Sequence, residues 1–347
     1  MTFSETIQKL VRRESLSRGE NRAAIASLMN GEASSVQISA FLTALRVKGE
    51  TVDEITGAAE AMRAAAIPVH TDGQLIVDTC GTGGDGLGSF NVSTTAAFVV
   101  AGSGLTVAKH GNRSISSRCG SADVLESLGI PVQTSVQAVE TCLKTIGLAF
   151  LFAPSFHPAM KHAMPVRKEL GIRTIFNVLG PLTNPTQPQV QLVGVYDSLW
   201  LKPLAEVFVQ LGMKDGLVVH GQGNDEIVLS GPTQVVELIN GKLHMDEWRP
   251  EDFGLKTQKD QHLRGGASQD NAALLRRILE GEKGAFREAV CMNSAAVIRA
   301  AYRSSHGLRK SVSLQEAYHI AEESIDRKAA LGKLHALKEA LASEPRS

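Results

Sequence analysis

After Pro68 the chain changes period, and that change limits its possible folds more than any other feature. Five short β-rich runs, LIVDTC (75–80), LTVAKH (105–110), LAFLFA (148–153), VQLVGVY (190–196) and GLVVHG (216–221), are separated by helix-length segments at 93–103, 121–128, 134–146 and 198–212. Such alternation predicts a mostly parallel sheet covered by helices on both faces, because parallel neighbours need a crossover long enough to hold a helix. EIVLS and VVELINGKLHM predict a β-hairpin turning at Asn240-Gly241, and the tail from about 268 to 343 reads as helical again.

Before Pro68 the signals are helical only. Thr2-x-x-Glu5, Ser34-x-x-Gln37 and Thr51-x-x-Glu54 have capping-box spacing, Gly31 and Gly49 stand where helices should stop, and Phe3, Ile7, Leu10 and Val11 recur with helical period. About four short helices are expected. So small a unit cannot bury all its apolar faces and should pack on something else, a second subunit included. HPAMKHAMPVRKELG and TIFNVLG, within 157–180, break the strand–helix alternation and are expected to return to the helical unit. The expected class is α/β, with a small discontinuous N-terminal helical domain (1–70, together with about 157–188) and a larger α/β domain (71–347) built on a mostly parallel central sheet.

Charge removes some function classes. Among 347 residues, Lys plus Arg and Asp plus Glu number 36 each, so no global field draws in nucleic acid or an anionic membrane, and any anion site must be built locally. The N-terminus mixes charge through its first turns and the most apolar run, AAFVVAG, is too short to span a bilayer, so the expected location is the cytoplasm. Cys80, Cys119, Cys142 and Cys291 lack CxxC or Cys/His spacing and read as reduced thiols.

Local anion sites are nevertheless evident. In CGTGGDGLGSFNVSTT (80–95) a strand leads through a glycine-rich loop into a helix, and a helix N-terminus beyond a parallel strand presents unpaired N–H groups with partial positive charge. Phosphate is the leading ligand, with hydroxyls from Ser93 and Thr94. Gly81, Gly83 and Gly86 also satisfy GxGxxG, but Leu87 to Val92 intervene before the helix, and the next strand ends in Lys109-His110 where a dinucleotide fold would carry an acidic residue. KHGNRSISSRCGS (109–121) is a second such loop, with charge from Lys109 and Arg113 and neutral donors from Ser114, Ser116, Ser117 and Ser121. Two such loops after neighbouring strands suit a ligand with more than one phosphate. Asp225-Glu226, beyond a later strand, suits Mg²⁺, which takes one or two carboxylates plus phosphate oxygens.

These stretches, with FAPSFHPAMKHAMPVRKELGIRTIFNVLGPLTNP and MNGEASSVQISAFLTALRVKGETVDEITGAAEAMR, resemble the anthranilate phosphoribosyltransferases over nearly the whole chain. The resemblance implies transfer of phosphoribosyl from 5-phosphoribosyl 1-diphosphate to the amine of anthranilate, in the second step of tryptophan synthesis from chorismate. It also implies Mg²⁺ as cofactor and a homodimer joined through the helical domains. It assigns Gly81, Gly84, Asp85, Ser89, Asn91, Val92, Ser93 and Thr94 to the phosphoribosyl diphosphate, together with Lys109, His110, Gly111, Asn112, Arg113, Ser114, Ile115, Ser116, Ser117 and Ser121. Ser93, Asp225 and Glu226 would hold the metal, and Gly81, His110, Asn112 and Arg167 would line the anthranilate path.

Lys109 and His110 are the catalytic candidates, Lys109 to stabilise the leaving diphosphate and His110 as the available base. Arg167 suits the anthranilate carboxylate through its planar fork, with Arg173 as its rival. Two departures from the family pattern are Ser89 in place of a usual Thr and a segment HGQGNDE that is one residue short. The competing readings are a pyrimidine nucleoside phosphorylase, whose family lacks KHGNR and RTIFNVLGPLTNP, and a nucleic-acid-binding relative, which a neutral chain disfavours.

Overall fold

A computed structural model describes residues 1–83, 90–114, 119–258, 263–306 and 311–342. The chain opens with α1 (Phe3–Val11), α2 (Arg18–Met29), α3 (Ser35–Lys48) and α4 (Val52–Ala65). Each begins at a capping box, Thr2/Glu5, Ser17/Glu20, Ser34/Gln37 and Thr51/Glu54, which satisfies N-terminal N–H groups reciprocally and contributes about 1 kcal/mol per helix. Glu54 does more than cap. Its fully buried carboxylate also accepts from Leu16 N at 2.8 Å and from Lys48 Nζ at 2.8 Å, tying the α1–α2 connection to α4. Close approach of α2 to α4 needs Gly57, where a Cβ would lie 2.2 Å from Arg18 O.

The rest of the chain runs β1 (Ile76–Gly81), α5 (Val92–Gly102), β2 (Thr106–Gly111), α6 (Ser121–Ser127), α7 (Val136–Thr145), β3 (Leu148–Phe152), α8 (Ala153–Phe156), α9 (Met164–Leu170), α10 (Phe176–Leu179), β4 (Val190–Gly194), α11 (Leu201–Gln210), β5 (Gly216–His220), β6 (Thr233–Ile239), β7 (Lys242–Trp248), α12 (Ser268–Leu279), α13 (Ala285–His306), α14 (Leu314–Asp326) and α15 (Ala329–Ala342). Short 3-10 turns include Pro158–His162 and Gly180–Thr183. Among the described residues seven strands form one sheet in the order β3-β2-β1-β4-β5-β6-β7, parallel from β3 through β5 and antiparallel over β6 and β7. The expected mostly parallel sheet is therefore present.

Alternation along the strands divides the interior. Val77, Leu192, Leu217 and Val219 pack with α5 and the C-terminal helices, whereas Val193, Val195, Val218 and Val236 pack with α11 and the N-terminal helices. On that second side α9 lies against α3, and α10 and the Gly180–Thr183 turn lie against α4. Short helical pieces after β3 thus come back to the first four helices.

The β6–β7 hairpin turns at Asn240 and Gly241, both with positive φ (50° and 75°), as a type I′ turn demands. Glu226–Ser230, read from sequence as strand, is irregular. Side chains take its backbone groups instead: Ile227 N donates to Asn293 Oδ1 at 3.0 Å, Ile227 O accepts from Asn293 Nδ2 at 2.9 Å, and Val228 N donates to Thr233 Oγ1 at 3.1 Å. None of the four cysteines forms a disulfide.

Candidate active site

The chain leaves β1 toward β2 and β3, then returns to the opposite side of β1 with β4 and β5, so the strand order reverses between β1 and β4. A crevice opens at such a reversal, beyond the carboxyl ends of the two strands. Here those ends are Gly81 and Gly194, which are register partners. Asp225 fills the space their missing side chains leave: a Cβ on Gly81 would lie 2.2 Å from Asp225 Oδ2, and one on Gly194 1.5 Å from Asp225 O. Gly83 N donates to Asp225 Oδ2 at 2.9 Å.

A tight turn delivers this carboxylate. Gly221 and Asn224 exchange backbone hydrogen bonds at 3.0 and 2.9 Å, and Gln222 and Gly223 between them both have positive φ. His220 clamps the base, its Nδ1 on Val195 O at 2.8 Å and its Nε2 accepting from Gly223 N at 3.2 Å. The HGQGNDE segment is thus a two-residue turn that sets Asp225 and Glu226 over the β1–β4 crevice. Both carboxylates are half-buried.

On the opposite rim stands the N-terminus of α5. Its N-cap residue, Asn91, makes no capping hydrogen bond, because its side chain is engaged elsewhere: Nδ2 donates to Cys119 O at 3.3 Å and Oδ1 accepts from Asn271 Nδ2 at 2.9 Å. The first-turn N–H groups and the positive end of the helix dipole are left without a side-chain cap, and buried Thr94 Oγ1 has no hydrogen bond. Lys109, only 4% exposed, sits beside them. Its Nζ donates to Thr79 O at 2.6 Å and Ser93 Oγ at 3.3 Å. Burial pulls the Lys109 pKa down, while Asp78 and Glu226 oppose that shift. An anion arriving here would meet a preorganised cation, Ser93 and a helix N-terminus together.

The second loop is organised by Asp123, whose carboxylate accepts from Gly120 N at 2.8 Å, Ser114 N at 3.2 Å and Arg113 Nη1 at 3.2 Å. Ser121 Oγ and Ala122 N both reach Asn112 O at 3.2 Å, and a Cβ on Gly111 would lie 2.3 Å from Ser121 Oγ. Arg113, read from sequence as charge for phosphate, is bound bidentately by Glu126 and lies 5.5 Å over the Phe152 ring. Its charge is offset locally. Gly84, Asp85, Ser89, Ile115, Ser116 and Ser117 lie outside the described residues.

Where this rim meets the helical side, His110 and His157 pack with ring centroids 5.3 Å apart. His110 Nδ1 lies 3.3 Å from Gly180 O; its Nε2 and both ring nitrogens of His157 are buried without hydrogen-bond partners. Burial first, then the neighbouring imidazole, pushes His110 down to about 3, and burial pushes His157 down to about 4. A neutral imidazole so reluctant to take a proton is a hydrogen-bonding group and a poor general base near neutral pH.

The same shifts act on stability. Unfolded imidazoles protonate below about 6.5 while the folded ones stay neutral, so nothing is lost above that pH, and stability falls as the pH drops below it. The loss continues to about pH 4 for His157 and about pH 3 for His110. Denaturant titrations on the acid side of 6.5 should show this slope, and His157→Gln should make it shallower.

Arg167 stands nearby with its guanidinium 5.1 Å from the Phe176 ring and 3.6 Å from Met164 Sδ, and it makes no ion pair with any described carboxylate. Burial lowers its pKa, so a carboxylate ligand would restore a missing counter-charge. Arg173 stacks on Tyr196 at 3.8 Å. Among the described residues no three His, Cys, Asp or Glu side chains gather as a metal cage, and no helix is long and apolar enough to cross a membrane. Two carboxylates completed by phosphate oxygens suffice for Mg²⁺. Reasoning from sequence missed His157, which lay unremarked in HPAMKH, and the buried polar residues Asp78, Asn184 and Gln191 beneath the crevice.

Residues 73–331 match the a/b domain of a glycosyl transferase family, and residues 4–66 match its helical bundle domain. The anthranilate phosphoribosyltransferase of Moorella thermoacetica is 51% identical over 332 residues, 95% of this chain and 96% of that protein. The chain belongs to the anthranilate phosphoribosyltransferase family. The anthranilate phosphoribosyltransferase of Symbiobacterium thermophilum is 48% identical over 96% of both chains. Of the solved anthranilate phosphoribosyltransferases, the Thermus thermophilus enzyme superposes with a TM-score of 0.90 at 43% identity, covering 97% of this chain and 99% of its own. That of Saccharomyces cerevisiae, solved in complex with PRPP and Mg, gives 0.89 at 28% identity over 98% of each.

Proposed function

We propose that this chain joins anthranilate to 5-phosphoribosyl 1-diphosphate, giving N-(5-phosphoribosyl)anthranilate and pyrophosphate, the second step of tryptophan synthesis from chorismate. One observation carries the reading: an uncapped helix N-terminus, a buried lysine and an inserted carboxylate converge on the strand-order reversal of a chain 51% identical to a named family member.

As the anomeric C–O bond breaks, positive charge grows on the ribose and negative charge on the departing diphosphate. Lys109, Ser93 and the α5 N–H groups stabilise the leaving side, with Gly81, Asn91, Val92, Thr94, the 111–114 segment and Ser121 around it. Asp225, Glu226 and Ser93 would hold Mg²⁺, which when bound neutralises charge on the diphosphate. The anthranilate amine is neutral and carries its own lone pair, so no strong base has to create the nucleophile. His110 accepts a hydrogen bond from it, Gly81 and Asn112 line the approach, and Arg167 holds the carboxylate. Gly84, Asp85, Ser89, Ile115, Ser116 and Ser117 belong to the same phosphate loops by the resemblance.

Residues 1–70 with about 157–188 form one domain on this reading, and 71–347 otherwise the other. Val11, Val36 and Val47, on α1 and α3, are each more than two-thirds exposed, which supports a homodimer joined through the helical domains. The enzyme works in the cytoplasm.

Loss of anthranilate fluorescence on adding phosphoribosyl diphosphate tests the activity. Turnover is expected with Mg²⁺ and none after chelation by EDTA; phosphorolysis of thymidine or uridine instead would overturn the reading. Arg167→Ala should raise the Michaelis constant for anthranilate roughly 10- to 100-fold, the worth of one charge-assisted anchor of about 1.5–3 kcal/mol, with little change for the diphosphate. Wild-type anthranilate kinetics in that variant would move the anchor to Arg173.

A further inference from the structure

A carboxylate lies fully buried in the middle of β1, directly beneath the crevice. Asp78 alternates with Val77 and Thr79, so it faces away from α5 and toward the helical side of the sheet. Two amide side chains converge on its Oδ2: Asn184 Nδ2 at 2.9 Å and Gln191 Nε2 at 3.3 Å. Each amide also grips backbone. Asn184 Nδ2 reaches Ala108 O at 2.8 Å, just before Lys109 and His110, while Gln191 Nε2 reaches Pro181 O at 3.0 Å. Asn184 Oδ1 accepts from Thr186 N and Thr186 Oγ1 at 3.0 and 2.8 Å, so every hydrogen-bonding group of this side chain is used.

Both ends of the Pro181–Asn184 crossover are therefore fastened to one buried carboxylate. Just before it lies Gly180, whose carbonyl faces His110 Nδ1 at 3.3 Å; within it Leu182 O accepts from Arg63 Nε of α4 at 2.7 Å. A carbonyl only accepts, so this contact puts the proton on Nδ1 and leaves Nε2 a bare lone pair.

Resting on the function proposed above, we infer that Asp78, Asn184 and Gln191 are positioning residues: they clasp the Gly180–Asn184 crossover to β1 and β2 and so fix the tautomer and direction of His110 for the incoming amine. The clasp touches neither substrate. It lies on the sheet face opposite Ser93 and the α5 N-terminus, so loosening it should misplace the nucleophile and spare the diphosphate site. Parallel sheets ordinarily fill such strand positions with apolar residues. A polar cluster there costs desolvation, which a purely structural contact at this place would not require.

The test compares Asn184→Ala with the unaltered enzyme by steady-state kinetics, by calorimetric binding of phosphoribosyl diphosphate with Mg²⁺, and by the ¹⁵N resonances of the His110 ring. A displacement of about 1 Å costs on the order of 100-fold, so kcat/KM for anthranilate should fall 10- to 100-fold. Diphosphate affinity should stay within about threefold (under 0.7 kcal/mol), and the His110 signals should move from the Nδ1–H tautomer toward a mixture. Unchanged kcat/KM with an unchanged His110 signal would overturn the inference, and so would a proportional loss of diphosphate affinity. Should Asn184→Ala not fold, Gln191→Met removes the links to Asp78 and Pro181 while leaving those of Asn184 in place, and it is judged by the same readouts. Absence of turnover in the unaltered enzyme would fault the proposed function instead, and the His110 tautomer would still decide the clasp.

Discussion

Changing Asp225 to Asn and Glu226 to Gln together is expected to lower kcat by about 10³-fold, the largest loss of any change outside the glycine loops. The shapes are retained, so this change tests charge. Gly83 N, now 2.9 Å from Asp225 Oδ2, can donate equally to the carbonyl oxygen of an asparagine, and the Gly221–Asn224 turn holds the segment through backbone bonds that neither substitution touches. What is lost is the negative charge that would hold Mg²⁺ against the diphosphate. The melting temperature should move little while turnover collapses, and raising the Mg²⁺ concentration should restore part of it. A double variant with wild-type rate would remove both carboxylates from the metal site.

Lys109→Met is expected to cost about 10²- to 10³-fold in rate and to weaken diphosphate binding, because it deletes the buried cation between Thr79 O and Ser93 Oγ. Methionine preserves the stem volume. Alanine would add a cavity to the loss of charge and confuse the two. Burial already holds the Asp78 carboxyl above the usual carboxylate range, with Lys109 as the largest opposing influence, so removing the lysine pushes Asp78 further toward the protonated acid. The variant should therefore lose roughly 1–3 kcal/mol of stability as well, measurable by denaturant unfolding. Arginine should not rescue it: a planar fork does not fit a pocket shaped for a compact ammonium. Full activity in Lys109→Met would mean that the helix N-terminus and the carboxylate pair suffice to expel the diphosphate.

Local chemistry was the legible part of the sequence. Capping boxes, a positive-φ Asn-Gly pair and strand-length apolar runs each report a short-range preference, and the four N-terminal helices, the β6–β7 hairpin and the parallel sheet follow from them. The glycine loops were visible for the same reason: only missing side chains let Asp225 sit against Gly81 and Gly194. Ser17/Glu20 has the same spacing as the boxes that were read but was not singled out.

What stayed hidden depends on partners distant in the chain. Glu226–Ser230 looked like strand because nothing local reveals that Asn293, 66 residues later, takes the backbone of Ile227. Arg113 looked free because its partners Asp123 and Glu126 sit on the following helix, where a charge run reads as solvated surface. Asp78 and Gln191 hid inside strand runs, where one polar residue among valines does not disturb the pattern.

The most direct test is a crystal structure of the enzyme with phosphoribosyl diphosphate and Mg²⁺. The diphosphate should lie between the α5 N-terminus and the 109–121 loop, within reach of Lys109, with the metal against Asp225 and Glu226. Phosphoribosyl diphosphate bound elsewhere, with Lys109 and the α5 N-terminus making no contact to it, would contradict the account.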